Sequence, residues 1–324
     1  MDNFNLSILE KQILAFPKTL LLTHQDPDED AIGSLLSLNE IIQKWGAKTT
    51  ICLSGKINSH LKIEQRIFSP QEIKVSDFPT IIITDTSNPS RTGLHLSITE
   101  TFPKNSFFII DHHIFKKNIS FSPSFKTIIR PRATASCEII FDLIKEKKEE
   151  INSKIAYYLL TGIYSDSGGF SHSNTTPALL KKSNELFKKG IIFRNIIQST
   201  FRGKKIKTLN FWGEKINSSF FHPQLKFISA WITQQETNQN KISSDEISGL
   251  VNLLNMCEEA KFSLFLREVE DGQIKGSLRS SEKKKSDVNL LSRFLGGGGH
   301  RLAAGFEVNG KIVEKGSKIC VKTL

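Results

Sequence analysis

Apolar and polar positions come in blocks along the first half of the chain: a short apolar run ends at a polar cluster, and a longer amphipathic stretch follows. The short runs predict buried strands, because strands covered on both faces are almost wholly apolar. They are Thr19–Thr23, Thr80–Thr84 and Phe107–Ile110. The longer stretches have helical periodicity, and they are Leu35–Trp45, Ala133–Ile144 and Ser153–Tyr164. Strands that alternate with helices predict an α/β fold, with helices on both faces of a parallel sheet.

The pattern changes in the second half and predicts a smaller α/β domain. Its predicted strands and helices are Leu225–Thr233, Ser244–Met256, Lys261–Val269, Gln273–Ser280 and Val288–Leu295. We expect a first domain over residues 1–186, a basic helical linker over residues 187–215 and the smaller domain over residues 216–324.

Acidic and imidazole side chains stand where the predicted elements of the first domain end. They are His24, Asp28, Asp30, Asp85, Asp111, His112, His113 and Asp166. In open α/β sheets, ligands bind beyond the carboxyl ends of the strands, so these side chains are expected to converge. Single acids have plainer explanations, since Asp28 or Asp30 would cap a helix and Asp85 would form a turn. Helix capping would explain either Asp28 or Asp30, but it does not explain both acids and the nearby His24. The pattern therefore favours a metal site.

The donors of this predicted site indicate its metal. Converging carboxylates repel one another unless cations neutralise them, and two divalent ions about 3.5–4 Å apart with one bridging carboxylate satisfy that arrangement. Oxygen ligands with a minority of imidazoles and no thiolate favour Mn²⁺ over a structural zinc, with Co²⁺ or Mg²⁺ as substitutes. Such a site is suited to attack of hydroxide on phosphorus.

The charge and composition of the chain bear on its expected substrate and location. The chain has 324 residues and a formal net charge of +11, which suits an anionic substrate but equally suits a lysine-rich compositional bias. The four cysteines form no Cys-x-x-Cys pair, and no apolar run approaches the roughly 20 residues that cross a bilayer. We therefore expect a cytoplasmic protein that does not bind membranes.

The second domain contains residues suited to holding a phosphate. Four consecutive glycines precede His300, and Arg279 ends a predicted strand. Glycines let backbone N–H groups approach an anion, although a glycine run alone is more often a flexible hinge. His300 and the predicted tight turn at Ala303–Gly305 favour the phosphate-binding loop. Lys283–Lys285 follow the strand of Arg279 and are expected to be solvated.

Taken together, these motifs resemble those of the DHH/DHHA1 phosphoesterases. The similarity is greatest to their standalone bacterial members, the oligoribonuclease/pAp phosphatase (nanoRNase) group and the related cyclic-di-AMP phosphodiesterases. Five segments carry the resemblance in order along nearly the whole chain: His24–Ser34, Asp85, Asp111–His113, Thr161–Gly168 and Gly297–Gly305. Asp26 adds a carboxylate beside the first motif, and its role is left open.

The resemblance implies a role for each site residue. One Mn²⁺ would be held by His24, Asp28 and Asp85, and the other by Asp30, Asp85, His112 and Asp166, with Asp85 bridging. Among the catalytic residues besides Asp85, Asp111 would orient an imidazole and His113 would stabilise charge on the scissile phosphate. The second domain would hold the rest of the nucleotide in a cleft between the domains, through Arg279, Gly297, Gly298, Gly299 and His300.

The resemblance also implies the activity. The leading hypothesis is a manganese-dependent phosphodiesterase and phosphatase that hydrolyses short oligoribonucleotides and pAp. Hydrolysis of cyclic di-AMP or its linear product pApA is the alternative within the same chemistry. A non-catalytic nucleotide sensor is less favoured, because such a protein should have lost a metal ligand and none is missing. The expected partners are a short RNA or dinucleotide substrate and a second copy of the chain in a homodimer.

Overall fold

The structure is a computed structural model that describes residues 4–94, 105–113, 125–172, 174–201, 206–240, 244–269, 272–315 and 318–322. The chain divides into two compact units, Met1–Arg202 and Gly203–Leu324. The predicted linker, residues 187–215, straddles this division, and its limits stay predictions, as does the homodimer. Within the described ranges, no helix combines the length and the apolar character needed to span a membrane.

The first unit is built on a six-stranded sheet in which every pairing is parallel. Its strands are β1 (Lys18–Leu22), β2 (Lys48–Cys52), β3 (Ile67–Phe68), β4 (Thr80–Thr84), β5 (Ser106–Asp111) and β6 (Phe125–Ile129). Their spatial order is β3-β2-β1-β4-β5-β6. The order reverses between β1 and β4, so the carboxyl ends of these two strands flank a crevice of the kind in which α/β proteins bind ligands.

The described helices of the first unit pack on one face of the sheet. They are α1 (Leu6–Ala15), α2 (Glu29–Lys44), α3 (Ser136–Lys147), α4 (Ser153–Asp166), α5 (Pro177–Phe187) and α6 (Phe193–Phe201). Alternate strand residues point to opposite faces, so Leu21 and Ile82 lie in one apolar cluster while Leu20 and Ile81 lie in another. The described helices pack into the first cluster, and residues around Val75 cover the second. The predicted α/β fold with a parallel sheet is confirmed.

The second unit has a mixed sheet, as predicted for a smaller α/β domain. Its elements are α7 (Ile206–Asn217), β7 (Phe220–His222), β8 (Phe227–Ile232), α8 (Gln234–Asn240), α9 (Ser244–Leu254), β9 (Phe262–Val269), β10 (Gln273–Arg279), α10 (Val288–Phe294), β11 (Gly298–His300), β12 (Ala303–Asn309), β13 (Lys311–Lys315) and β14 (Lys318–Lys322). The main sheet has the order β11-β12-β10-β9-β8-β7. Strands β8 and β9 pair in parallel, and the other neighbours pair antiparallel.

The glycine run differs from its sequence prediction. Gly298–His300 forms a strand rather than a loop, and Ala303–Gly305 lies inside β12 rather than in a tight turn, so the predicted turn is wrong. A Cβ atom on Gly297 would lie 2.2 Å from the carbonyl oxygen of Gly305, so glycine allows the two backbones to approach. Glycine is a poor strand former, which explains why the pattern favours a loop.

Lys284 also departs from the expectation of a solvated side chain. Its Nζ donates hydrogen bonds to the carbonyl oxygens of Asn255 and, at 2.8 Å, Cys257, just beyond the last residue of α9. A positive charge there stabilises the carboxyl end of the helix. The neighbouring Lys283 is exposed and pairs with Glu258 at 2.7 Å.

Candidate metal centre

Five of the predicted site residues of the first unit lie where three neighbouring strands end. His24 comes two residues after β1, and Asp85 follows β4 directly. Asp111 is the last residue of β5, and His112 and His113 follow it. Because parallel strands end at the same edge of the sheet, these side chains meet beside the crevice between β1 and β4.

Asp85 lies at the centre of this cluster, between two imidazoles. Its Oδ2 is 3.4 Å from His24 Nε2, and its Oδ1 is 3.5 Å from His112 Nε2. The same nitrogen of His112 is 3.3 Å from Asp166 Oδ2 and 4.0 Å from Asp30 Oδ2. Asp30 comes from the first turn of α2 and Asp166 from the end of α4, so helices and strands together supply the carboxylates.

Three groups of side chains have ligand atoms that lie within 4.8 Å of one another in each group. The groups are His24, Asp28 and Asp85; Asp30, His112 and Asp166; and Asp85, His112 and His113. The structure thus brings together all six residues predicted as metal ligands, and Asp85 and His112 each belong to two groups. Asp85 is therefore the carboxylate that two ions could share.

The imidazoles present free nitrogen atoms to the cluster. His24 Nδ1 is 2.7 Å from the carbonyl oxygen of Gln25 and donates to it, which leaves the lone pair of Nε2 facing Asp85. His112 Nε2 is buried and has no hydrogen-bond partner among the residues that the structure describes. A buried polar atom without a partner is costly, and a cation would satisfy it. The donor set, carboxylate oxygens with a minority of imidazoles, fits Mn²⁺.

The amino end of α3 holds two of the carboxylates in place. The backbone N–H groups of Ser136 and Cys137 donate to Asp30 Oδ2 and Oδ1 at 2.6 and 2.9 Å. The hydroxyl of Ser136 donates to Asp85 Oδ1 at 3.0 Å. Unpaired N–H groups at a helix amino end favour a carboxylate. The sequence interpretation missed both residues, and its nearest signal was the predicted helix start just before them.

Two glycines of the sequence motifs let helices α2 and α4 pack closely beside the site. A Cβ on Gly33 would lie 2.6 Å from the carbonyl oxygen of Tyr158, and one on Gly162 would lie 2.4 Å from Cys137 Sγ and 2.8 Å from Asp30 Oδ1. Any larger residue at position 162 would displace Asp30 or the amino end of α3. These glycines therefore allow the close helix packing that holds Asp30 in place.

Asp28 combines the two functions that the sequence presents as alternatives, while Asp26 has a structural one. Asp28 Oδ1 accepts hydrogen bonds from the backbone N–H groups of Asp30 and Ala31, which caps α2, and Asp28 also belongs to a ligand group.

Asp26 is exposed, lies outside the three ligand groups and accepts a 2.7 Å hydrogen bond from the backbone N–H of Lys56. Asp26 therefore joins two loops at the edge of the crevice.

Asp111 contacts the imidazole of His113 rather than that of His112. Its Oδ1 accepts from the backbone N–H of His113 at 3.1 Å and lies 2.8 Å from His113 Nδ1. With the Nδ1 proton directed to Asp111, Nε2 of His113 is the nitrogen turned away from this pair. The His113 side chain is 40% exposed, whereas that of His112 is 10% exposed, so His113 is the more accessible to a ligand in solution.

Crowded charges shift the pKa values of the site in opposite directions. Burial raises the pKa of the Asp85 carboxyl, but the neighbouring imidazoles of His112 and His24 outweigh it and hold that pKa well below its usual range. Burial and the charge of Asp85 raise the pKa of Asp30 to about 7. Burial, together with Asp30, also raises the pKa of Asp166 well above its usual value. Burial opposes charge on His24 and His112, yet Asp85 raises the pKa of both imidazoles.

These shifts predict that the metal-free protein loses stability between pH 6 and pH 8. The folded state holds a proton on Asp30 up to about pH 7, whereas the unfolded chain releases it near the ordinary pKa, so stability falls as pH rises through that window. The raised pKa values of His24 and His112 act in the same sense. Because metal requires the deprotonated carboxylates, the Mn²⁺-dependent gain in Tm should grow over the same range.

Thermal unfolding at pH 6, 7 and 8, with a chelator and with Mn²⁺, measures both trends. A metal-free Tm that rises from pH 6 to pH 8 would contradict the assignment of the shifted groups.

The residues predicted to bind substrate in the second unit lie toward the carboxyl ends of strands β10 and β11. Arg279 ends β10 and pairs with Ala303, which in turn pairs with His300, so the three backbones form one cross-strand row. Gly298 and Gly299 lie in β11 with His300, and Gly297 directly precedes it. Arg279 Nη1 donates to the carbonyl oxygen of Leu278 at 2.9 Å. Their function in substrate binding stays a prediction.

Comparison with known proteins gives matches over both units. The profile of the DHH family, N-terminal domain, matches residues 18–163, and the profile of the DHHA1 domain matches residues 224–319. The bifunctional oligoribonuclease and PAP phosphatase NrnA of Thermus thermophilus is 30% identical over 296 residues, which cover 90% of this chain and 84% of that protein.

Two solved structures share the fold. An exopolyphosphatase-related protein from Bacteroides fragilis superposes with a TM-score of 0.82 at 24% identity, over 94% of this chain and 91% of that chain. RecJ from Thermus thermophilus, solved in complex with Mn²⁺, superposes with a TM-score of 0.52 at 11% identity, over 94% of this chain and 51% of that chain.

Proposed function

The chain is a phosphoesterase of the DHH family with a DHHA1 domain, and from that premise we propose that it hydrolyses short oligoribonucleotides and pAp with two Mn²⁺ ions. The observation that carries the proposal is the position of Asp85, which belongs to one ligand group with His24 and Asp28. Its Oδ1 also lies 3.5 Å from Nε2 of His112, which forms a second ligand group with Asp30 and Asp166. A carboxylate shared between two ligand groups is the feature that a two-metal phosphoesterase needs.

The proposed ligands follow from these groups. His24, Asp28 and Asp85 would hold one ion, and Asp30, Asp85, His112 and Asp166 the other. When bound, the pair supplies Lewis acidity that neutralises charge on the phosphate and lowers the pKa of water. The solved RecJ complex contains Mn²⁺, which supports the choice of metal.

Around the ions, His113 and Asp111 have separate proposed functions. Asp111 fixes the imidazole of His113 through Oδ1, at 2.8 Å from Nδ1. As an imidazolium, which carries a proton on both nitrogens, His113 can donate a hydrogen bond from Nε2 to a phosphate oxygen as negative charge develops there. Buried Asp111 thus positions the imidazole, and the more exposed His113 contacts the substrate.

The second unit would bind the part of the nucleotide that does not react. Arg279 offers a guanidinium group at the carboxyl end of β10. Gly297–His300 offers backbone N–H groups at the neighbouring β11. Arginine and exposed backbone donors are the usual partners of phosphate oxygens. The relative from Thermus thermophilus is named for oligoribonuclease and PAP phosphatase activities, which supports a nucleotide substrate. A cytoplasmic location is part of the same proposal.

Side-by-side hydrolysis assays test the substrate. Purified full-length protein with Mn²⁺ should release nucleotide from a short RNA, from pApA and from pAp, and should hydrolyse cyclic di-AMP at least about 10-fold more slowly as judged by kcat/KM. Faster turnover of cyclic di-AMP would replace the proposal with the cyclic-dinucleotide alternative. Binding of these ligands without any hydrolysis would favour the nucleotide sensor.

A further inference from the structure

A chain of hydrogen bonds joins the two loops that precede α3 and α5. Thr134 lies in the first loop and Asn174 in the second. The hydroxyl of Thr134 donates to the carbonyl oxygen of Asn174 at 2.8 Å, and Nδ2 of Asn174 donates to the carbonyl oxygen of Asp166 at 3.2 Å. Thr134 is thereby connected to the residue at the carboxyl end of α4 that offers a carboxylate to the metal centre.

Glu138 fixes the Thr134 end of this chain of contacts. Its Oε2 accepts a 2.7 Å hydrogen bond from the backbone N–H of Thr134, and its Oε1 pairs with Lys182 Nζ at 2.8 Å. Lys182 belongs to α5, the helix that follows the loop of Asn174. Thr134 is therefore connected to that loop by its hydroxyl and to α5 through Glu138 and Lys182.

Burial fixes the geometry of these contacts. The side chains of Thr134 and Glu138 are buried, whereas Asn174 is exposed. A buried hydroxyl or carboxylate that loses its partner stays without solvent, so the folded state favours the arrangement in which both are paired. The bond from Thr134 ends on a backbone carbonyl of Asn174, so it constrains the path of the main chain and not only a side chain.

Thr134 is close to the supports of two carboxylates. Asp30 and Asp166 belong to one ligand group. Thr134 comes two residues before Ser136, whose backbone N–H holds Asp30 at 2.6 Å. Through Asn174 it also reaches the main chain at Asp166. Thr134 therefore links the supports of two carboxylates that repel each other when no cation neutralises them.

We propose that Thr134 and Glu138 are positioning residues that hold Asp30 and Asp166 at the spacing an ion requires, and so raise the affinity of that ligand group for Mn²⁺. The inference rests on the proposed function for the identity of the metal, and it adds residues that lie outside the three ligand groups. Ligands that are held in place before binding lose less free energy when the ion enters. Partners that orient metal ligands typically contribute about 10–100-fold to affinity.

Manganese binding to the metal-stripped, full-length protein tests the proposal. Thr134→Val keeps the shape of the side chain and removes the hydroxyl, whereas Thr134→Ser keeps the hydroxyl. We expect the wild type and Thr134→Ser to bind two ions with matching affinities, and Thr134→Val to bind one of the two at least about 10-fold more weakly. Free Mn²⁺ measured by electron paramagnetic resonance gives both dissociation constants.

A second background assigns the weakened ion. In Asp166→Asn, where the affected ion has lost a ligand, Thr134→Val should leave the affinity of the remaining ion unchanged. A role in folding alone predicts a different result, namely a lower Tm of metal-free Thr134→Val with both dissociation constants unchanged. That result, or equal weakening of the two ions, overturns the inference.

Glu185→Gln is the matched control. Glu185 pairs with Lys145 at 2.8 Å and joins the same two helices near their carboxyl ends, so its variant should bind both ions as the wild type does. Lys182→Met removes the partner of Glu138 at a partly exposed position, and it should weaken the same ion even if Thr134→Val does not fold.

The outcomes separate this inference from the proposed function. A wild-type protein that binds no Mn²⁺ would refute both together. Two ions bound with wild-type affinity in Thr134→Val and in Lys182→Met would refute the positioning role alone.

Discussion

The Asp85→Asn variant is expected to lose at least about 10³-fold in kcat, equivalent to about 4 kcal/mol of transition-state stabilisation, while it stays folded. Asp85 has its two oxygens 3.4 and 3.5 Å from different imidazoles, and an amide cannot supply two anionic oxygens to a pair of ions. The residue has a positive φ of 57°, a conformation that asparagine tolerates better than most residues. The change therefore removes charge with little disturbance of the backbone.

Manganese binding and turnover measured on the same preparation check this prediction. Asp77→Asn is the matched control, because Asp77 is an exposed acid in the short turn before the same strand, and its variant should keep wild-type kcat. Hydrolysis by Asp85→Asn at the wild-type rate would rule out the proposed site.

Substituting the adjacent histidines should separate metal binding from catalysis. His112→Gln should lower the Mn²⁺ stoichiometry, because His112 Nε2 is surrounded by the carboxylates of Asp30, Asp85 and Asp166, and turnover should be lost with the metal. His113→Gln should retain both ions and lower kcat by about 10²–10⁴-fold, the range for a group that acts in the transition state.

Free Mn²⁺ measured by electron paramagnetic resonance gives the stoichiometry, and steady-state assays at saturating Mn²⁺ give kcat. His60→Gln serves as the control, since His60 is exposed and lies outside the ligand groups. If the His112 and His113 variants lose metal and activity in parallel, the separate functions proposed for the two imidazoles are wrong.

The sequence predicts much of the first unit because its signals are local. Each apolar run that ends at an acid or imidazole becomes a buried strand, and the parallel order of β1, β4 and β5 brings those ends to one edge. Residue type and position at the ends of the predicted elements were therefore enough to collect the side chains of the ligand groups. The resemblance, not the pattern, separated the six proposed ligands from Asp111 and His113.

What the sequence does not predict depends on backbone atoms and long-range packing. The N–H groups of Ser136 and Cys137 hold Asp30, and backbone donors leave no signature in residue type. The close approach at Gly162 joins helices that are far apart in sequence. The strand at Gly298–His300 forms because β12 supplies a partner, against the low strand propensity of glycine.

The crowding of carboxylates has a consequence for protein engineering. Asp30 and Asp166 are held in an environment that disfavours their ionised forms, so replacing either with a neutral residue relieves repulsion in the chelated protein. A directed-evolution campaign that selects for heat resistance in the presence of a chelator would therefore enrich inactive clones. Libraries built on this scaffold need their selection performed with manganese supplied, so that survival and turnover favour the same sequences.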